Sequence, residues 1–562
     1  MTKKANVTLA GQLLKWGREQ PNAPFLVQPM PNGAVLSLNW AEVVDQVKRM
    51  ACYLRSLSLP ANSQIAILGK NSAHWVMADL SIMLAGYVSV PLYPTLDSDS
   101  INYILDHSES SLIFVGKMDV DGEEWEALEK TLPSALPKIA LPLAPSISGA
   151  TCWNKVIASN DLIEPVVLPD ADALATIIYT SGSTGVPKGV MHSNRSMLAV
   201  CEGFQGAFNM TPADRMLSYL PLAHAAERAI VETSSLYFGF CVFFSEGLAT
   251  FAEDLRRAQP TVFFSVPRLW LKFYSTVGQQ LTSEQEALLE TESPEAGGLR
   301  KAILAKLGLQ ETRVALTGSA PISKDIVEWY RKLGLEMLDC YGMSENFATS
   351  HVSKPGQVRA GYVGSPAEGV EARISASGEL QVKSPGQMLG YFKLPEQTQS
   401  EITEDGFFKT GDCGVIDHLG RLKITGRVKD IFKTSKGKYV APVPIEQKFD
   451  GMAEFESVCV MGSGFPQPFA LVSLGVEERQ RYQDTDLRGH FEKRLEKALV
   501  SINESLQAHE VISFIVIAED IWSIGNGLLT PTMKIKRPMI ENAYLDLAAE
   551  WFDLNKTIIW QY

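Results

Sequence analysis

Five short apolar runs recur between helix-forming stretches, and this alternation constrains the fold more than any other feature of the chain. QIAILGK (64–70), SLIFVGK (111–117), ATIIYTS (175–181), TVFFSVP (261–267) and TRVALTG (312–318) carry Gly, Pro or hydroxyl residues at their ends. Runs this short and this uniformly apolar read as strands buried on both faces. Between them, NWAEVVDQVKRMACYLRSL (39–57) and SKDIVEWYRKLG (323–334) have helical periodicity, the second with Ser323 as N-cap and Gly334 as stop. Such alternation predicts an α/β architecture. Beyond residue 370 the pattern changes to period two with glycine turns, in VEARISASGELQVKSPGQMLGYF and then GRLKITGRVKDIF. That change predicts an antiparallel subdomain, with a boundary near 428. The acidic stretch LTSEQEALLETESPEAGG (281–298), ending in Pro and paired Gly, predicts a solvated helix followed by a loop.

Composition narrows the partners. With 562 residues, 46% hydrophobic and 20% charged, the chain has room for several cores and the usage of a folded globular protein. The net charge of −13 has the wrong sign for a nucleic-acid binder. Seven scattered cysteines without a C-x-x-C pair fit a reducing compartment and no structural zinc. The first twenty residues lack the apolar core of a signal peptide, so a cytoplasmic location is expected. The apolar stretch at 77–95 carries Asp79, Ser81, Gly86, Ser89 and Pro91 and reads as buried core rather than a membrane span. Peripheral membrane contact and a homodimer both stay open.

TSGSTGVPKG (180–189) is the most polar insertion in an apolar neighbourhood. Glycines 182, 185 and 189 allow backbone N–H groups to approach an anion, while Thr180, Ser181, Ser183, Thr184 and Lys188 add donors and a cation. This describes a phosphate cradle, yet Gly189 follows Lys188 where the Walker A pattern needs a hydroxyl residue. Alone, the loop is equally a polar surface turn. Further segments follow it in order: SYLPLAHAAER (218–228), TGSAPIS (317–323), YGMSEN (341–346), FKTGDCG (408–414), GRVKD (426–430) and LLTPTMKIKR (528–537).

Together these segments resemble the adenylate-forming (ANL) superfamily, and within it the AMP-forming acyl-CoA synthetases. TSGSTGVPKG matches the phosphate loop, YGMSE the Tyr-Gly-x-Thr-Glu motif, and KTGD the ribose motif. PLAHAAER, VPRLW (266–270) and TPTMKIKR look most like the long-chain fatty acyl-CoA synthetase branch. The resemblance implies a large N-terminal domain of α/β subdomains plus a β-subdomain (1–428), and a small mobile α+β C-terminal domain (429–562). It implies an ATP-dependent fatty acid:CoA ligase that forms acyl-AMP and pyrophosphate, then acyl-CoA and AMP, with Mg²⁺ as cofactor and ATP and CoA as substrates. A ligase that passes its acyl group to a carrier protein, and a noncatalytic nucleotide-binding relative, are the alternatives.

The resemblance also implies roles for single residues. Thr180, Ser181, Gly182, Ser183, Thr184, Gly185 and Lys188 would hold the β- and γ-phosphates. Gly318, Ser319 and Ala320 would line the adenine, with Tyr341, followed by Gly342, stacked on it. Ser344, in place of the commoner threonine, would reach the α-phosphate, and Glu345 would be the Mg²⁺ carboxylate. Asp412 would accept the ribose hydroxyls beside Arg427. His224 would stand near the acyl carboxylate, and Lys534 would bridge that carboxylate and the α-phosphate. Met533 stands where the broader family has Gly, which leaves Lys536 as a competitor for Lys534. Lys429 would be the hinge, Gly437 would border the pantetheine path, and Trp270 would gate the acyl tunnel. Each has an ordinary counterpart: a core tyrosine or tryptophan, a solvated carboxylate, a hairpin turn, a basic surface segment.

Overall fold

The computed structural model describes residues 7–562 except 121, 163–165, 182–185, 453 and 531. Its central feature is an eight-stranded sheet in the order Gly390–Tyr391, Pro187–Ser193, Leu174–Ser181, Val88–Leu92, Gln64–Leu68, Leu112–Val115, Lys138–Ala140 and Thr151–Cys152. Most neighbours pair in parallel, but Leu174–Ser181 and Pro187–Ser193 form an antiparallel hairpin whose connection is the glycine-rich loop. The helix Ala73–Ala85 packs here with every residue buried, so the stretch 77–95 is core, as its polar interruptions predict.

A second sheet places Val262–Ser265, Val314–Gly318 and Met337–Tyr341 side by side in parallel, which brings the ends of VFFSVP, ALTGSA and DCYGMSE to one edge. Ligands of open α/β sheets bind outside such carboxyl ends. The expected antiparallel unit is also present, with strands Glu371–Ile374, Glu379–Lys383, Phe408–Ile416 and Leu422–Arg427. The C-terminal part joins four strands from Phe455–Met461 to Ile558–Trp560 with the long helices Thr485–Glu504 and Arg537–Asp553, an α+β arrangement. Among the described residues, no apolar core cluster mixes buried side chains from before Leu422 with those after Phe432.

Local signals behave as capping chemistry dictates. Asn39 caps Trp40–Ser56 in a capping box with Glu42, Ser323 caps Lys324–Lys332, and Gly334 turns the chain with φ +86°. Ser193 caps Asn194–Phe208. The segment 281–298 differs from expectation at its end. Pro294 opens a new helix, Pro294–Leu307, capped by Ser293, and the paired Gly297 and Gly298 lie inside it. Proline suits a first helical position because its missing N–H has no partner there anyway.

Candidate active site

A cleft of about 1950 Å³ opens between the strand ends and the C-terminal part. It is lined by Thr180, Lys188, His224, Gly318, Ser319, Ala320, Tyr341, Gly342, Ser344, Glu345, Asp412, Arg427, Lys429, Lys534 and Lys536. Residues spread over more than three hundred positions therefore share one cavity. Gly182, Ser183, Thr184 and Gly185 lie outside the described residues, as does the side chain of Ser181.

Asp412 is a cleft carboxylate held from two sides. Its Oδ2 accepts a hydrogen bond from the Tyr341 hydroxyl at 2.6 Å, and its Oδ1 accepts one from Arg427 Nε at 2.8 Å. The strand pairing that sets Asp412 opposite Arg427 fixes this contact. The neighbouring Asp412 charge raises the Arg427 pKa, and burial raises that of Tyr341 well above the tyrosine range, so the guanidinium stays charged and the phenol neutral. Two glycines here are required by space. A Cβ on Gly342 would sit 2.2 Å from the backbone carbonyl of Ala348, and one on Gly318 would sit 2.8 Å from the Cys340 oxygen.

The turn that follows is held from the phosphate-loop side. Tyr391 donates its hydroxyl to Glu345 Oε1 at 2.8 Å, and Met388 N–H donates to the Glu345 carbonyl at 2.8 Å. Lys188 lies 5.4 Å from the Tyr391 ring centroid, within cation–π range. His192 Nε2 is 2.7 Å from the Ser344 carbonyl; since a carbonyl only accepts, Nε2 carries the proton and donates. Burial lowers the His192 pKa to about 4, so the ring is neutral at ordinary pH. Motif reasoning missed both His192 and Tyr391. GVMHSN and LGYF mark only a strand end and a turn, and nothing local reveals partners 152 and 46 residues away.

His224 Nδ1 accepts the Ala226 N–H at 3.1 Å, which leaves Nε2–H as the donor this ring can offer a ligand in the cleft. Burial first, then the charge of nearby Lys534, lowers its pKa to about 4. The segment before it is anchored by Glu227, whose Oε1 accepts from Ser218 Oγ, Tyr219 N–H and Asn71 Nδ2. Deeper still, fully buried Arg228 donates to Asp79, Glu232 and Thr176, tying the cleft wall to the strand that leads into the phosphate loop.

Lys534 sits where its charge reaches His224 and where the charges of Arg427 and Asp412 reach it. Water reaches it along the cleft, but crowding by protein, then Arg427, lowers its pKa, against the raising effect of Asp412. Its backbone closes a tight turn, with Thr530 N–H donating to the Lys534 carbonyl and Lys534 N–H to Thr530 Oγ1. Met533 adopts φ +61° in that turn, a conformation glycine reaches without strain. Lys536 also lines the cleft, yet it begins the following helix as its N-cap.

Two residues lie outside the cleft lining. Trp270 does not line the cleft: its side chain is fully buried against Phe263, Tyr330 and Phe273, and the same helix presents Leu271 and Tyr274 to the cavity instead. With the ring locked on all sides, Trp270 is a core residue. Gly437, with φ +78°, lies on an exposed hairpin turn between Phe432–Lys433 and Tyr439–Val440 that is not part of the cleft lining. Among the described residues no three His, Cys, Asp or Glu side chains cluster as a metal site. Glu345 with one oxygen engaged by Tyr391 fits a hard cation that takes most of its ligands from phosphates and water. No helix among the described residues is long and apolar enough to cross a membrane.

Comparison with known proteins places this geometry in context. The family model described as AMP-binding enzyme matches residues 13–392. Human long-chain-fatty-acid–CoA ligase 1 is 30% identical over 583 aligned positions, covering 93% of this chain and 83% of its own. Long-chain-fatty-acid–CoA ligase FadD15 of Mycobacterium bovis is 27% identical, covering 95% of each. Among solved structures, the A domain of carboxylic acid reductase from Segniliparus rugosus, in complex with AMP and a co-purified carboxylic acid, superposes with a TM-score of 0.80 at 22% identity, covering 98% of this chain and 95% of its own. The anthranilate CoA ligase AuaEII reaches 0.77 at 19% identity, covering 97% and 98%. The family model spans most of the chain and the human relative matches nearly all of it, so this protein belongs to the AMP-binding enzyme family.

Proposed function

We propose that the protein is an ATP-dependent fatty acid:CoA ligase that works through an acyl-AMP intermediate. The observation that carries this reading is the convergence of Asp412, Arg427, Tyr341, Glu345, His224 and Lys534 on one cleft, in a chain whose long-chain ligase relatives match it almost end to end. In the first half-reaction a carboxylate oxygen attacks the α-phosphorus of ATP and the bond to pyrophosphate breaks. Two anions must meet, so the site has to neutralise charge before it does anything else. Lys534, a cation beside the ribose pair, would lie between the carboxylate and the α-phosphate. Neutral His224 would offer Nε2–H to the acyl oxygen, and Lys188 would hold the outgoing phosphates. Asp412, already oriented by Tyr341 and Arg427, supplies acceptor oxygens for the ribose diol.

Glu345 would hold Mg²⁺ together with the phosphate oxygens, and the ion would supply charge neutralisation there. In the second half-reaction the CoA sulfur attacks the acyl carbon, the bond to AMP oxygen breaks and the thiol proton leaves to solvent. We take 429–562 as the unit that carries Lys534 and turns about Lys429 between the halves, bringing the exposed Gly437 turn toward the thiol path. The deciding experiment is pyrophosphate release across a panel of fatty acids, with and without CoA, with product identification. Acyl-CoA formed from a medium or long acid supports the reading. No release with any acid rejects the enzyme, and release with no CoA product rejects the acceptor.

A further inference from the structure

The Ser344–Glu345 segment sits in a turn that does not hold its own shape cheaply. Directly after it, Phe347 (φ +49°) and Ala348 (φ +63°) both occupy the left-handed region, two consecutive non-glycine residues where one is uncommon. Such strain persists only when surrounding structure over-determines it. Inside the turn, Asn346 N–H and Ala348 N–H donate to the Met343 carbonyl, and Met343 N–H donates to Asn346 Oδ1. Phe347 N–H donates to the Ser344 carbonyl at 3.1 Å, but none of these contacts orients the Glu345 carboxylate. Those two groups are met from outside, by Tyr391 and His192, which lie on adjacent strands. Both donors are buried, Tyr391 at 6% exposure and His192 at 0%.

We propose that Tyr391 and His192 are positioning residues that lock the Ser344–Glu345 turn onto the phosphate-loop hairpin, Tyr391 by occupying one carboxylate oxygen of Glu345 and leaving the other for a cation. The proposal rests on the ligase reading for the identity of that cation. Its physical content is that the hairpin carrying Lys188 and the turn carrying Glu345 move as one piece. The Tyr391 ring faces Lys188 while its hydroxyl meets Glu345, so one side chain spaces the cation of the loop from the carboxylate of the turn. His192 does the same for the backbone: its Nε2–H fixes the Ser344 carbonyl, and Ser196 Oγ lies 3.3 Å from Nδ1 on the other side of the ring.

Tyr391→Phe keeps the ring and the strand pairing and removes only the hydroxyl. Hydrogen bonds to charged groups are worth roughly tenfold to a hundredfold in an equilibrium, which sets the expected scale. Mn²⁺ binding to the enzyme–ATP complex, followed by electron paramagnetic resonance, is expected to weaken about tenfold in Tyr391→Phe. ATP binding without metal is expected to stay within about twofold, because the ribose cluster is untouched. His192→Leu is expected to lower kcat for pyrophosphate release about tenfold or more, and His192→Gln, which restores a donor, to recover most of it. Unchanged Mn²⁺ affinity in Tyr391→Phe overturns the proposal, as does metal-free ATP affinity falling in parallel, which marks a general structural defect. Equal kcat in His192→Leu and wild type overturns the His192 half; if that variant does not fold, His192→Gln falling as far as a dead enzyme does the same. Should wild type release no pyrophosphate with any acid, the ligase reading fails while the Mn²⁺ titration still decides the anchor.

Discussion

Asp412 and Lys534 line the same cleft but are supported very differently. Asp412 is fixed by Tyr341 and Arg427, which lie on two other strands, and Glu345, in the turn after Met337–Tyr341, by Tyr391. Lys534 makes no side-chain hydrogen bond among the described residues, and its backbone is tied to Thr530, beside Met533 at φ +61°. Across the two parts, Arg268 pairs with Glu456 near the surface. On the proposed reading the nucleotide side is preorganised by these hydrogen bonds, whereas the Lys534 ammonium is held by none of them. That division suits a site which must grip ATP throughout yet release its cation between steps.

Removing the delivered group tests this most severely. Lys534→Ala is expected to slow pyrophosphate release by about 10² to 10³, the scale of losing one preorganised charge donor, with ATP affinity unchanged within about twofold. A loss of ATP binding instead would make Lys534 part of the grip and erase the contrast. Asp412→Asn attacks the other side: it leaves Arg427 without its carboxylate partner and is expected to weaken ATP binding by about tenfold to a hundredfold, read by calorimetry. A rate defect with intact ATP binding would contradict a gripping role.

The wall that presents His224 adds a pH test of the held side. Burial raises the Glu227 pKa to about 8, above its ordinary value of 4.5, so the folded protein keeps a proton that the unfolded chain loses. Its contribution is complete below about pH 4.5 and is lost as pH rises through 8. Glu227→Gln is expected to flatten this slope, so that at pH 8.5 the variant unfolds in urea with about 1–2 kcal/mol more stability relative to wild type than at pH 6. A parallel pH profile for the two proteins would show that Glu227 is ionised in the fold. The smallest effect concerns the lysine turn. Met533→Gly relieves a left-handed residue and is expected to change stability by no more than about 1 kcal/mol and the rate by less than about threefold. A large rate loss would mean that the Met533 side chain, not only its backbone, places Lys534.

Much of this site is legible before folding, because motif chemistry is local. The antiparallel unit past residue 370, the Ser323 cap and the Gly334 stop follow from residues a few positions apart. Gly318 and Gly342 stand out as motif glycines, although only the approach of Cys340 and Ala348 shows why no other residue fits. Trp270 shows the limit in the other direction. Its motif context suggests a gate, but its ring faces Phe263 and Tyr330, and the helix turns Leu271 and Tyr274 to the cavity. A helix places neighbouring residues about 100° apart, and a motif does not say which of them faces the cleft.

By itself the sequence determined the alternation of strands and helices, the antiparallel unit beyond residue 370, and the order of the site segments, since periodicity, capping and turn chemistry act within a few residues. Tertiary packing alone sets His192 against Ser344, Tyr391 between Lys188 and Glu345, and Asp412 against both Tyr341 and Arg427. Those contacts join segments far apart in the chain, and a buried donor finds its acceptor only when packing brings the two within about 3 Å.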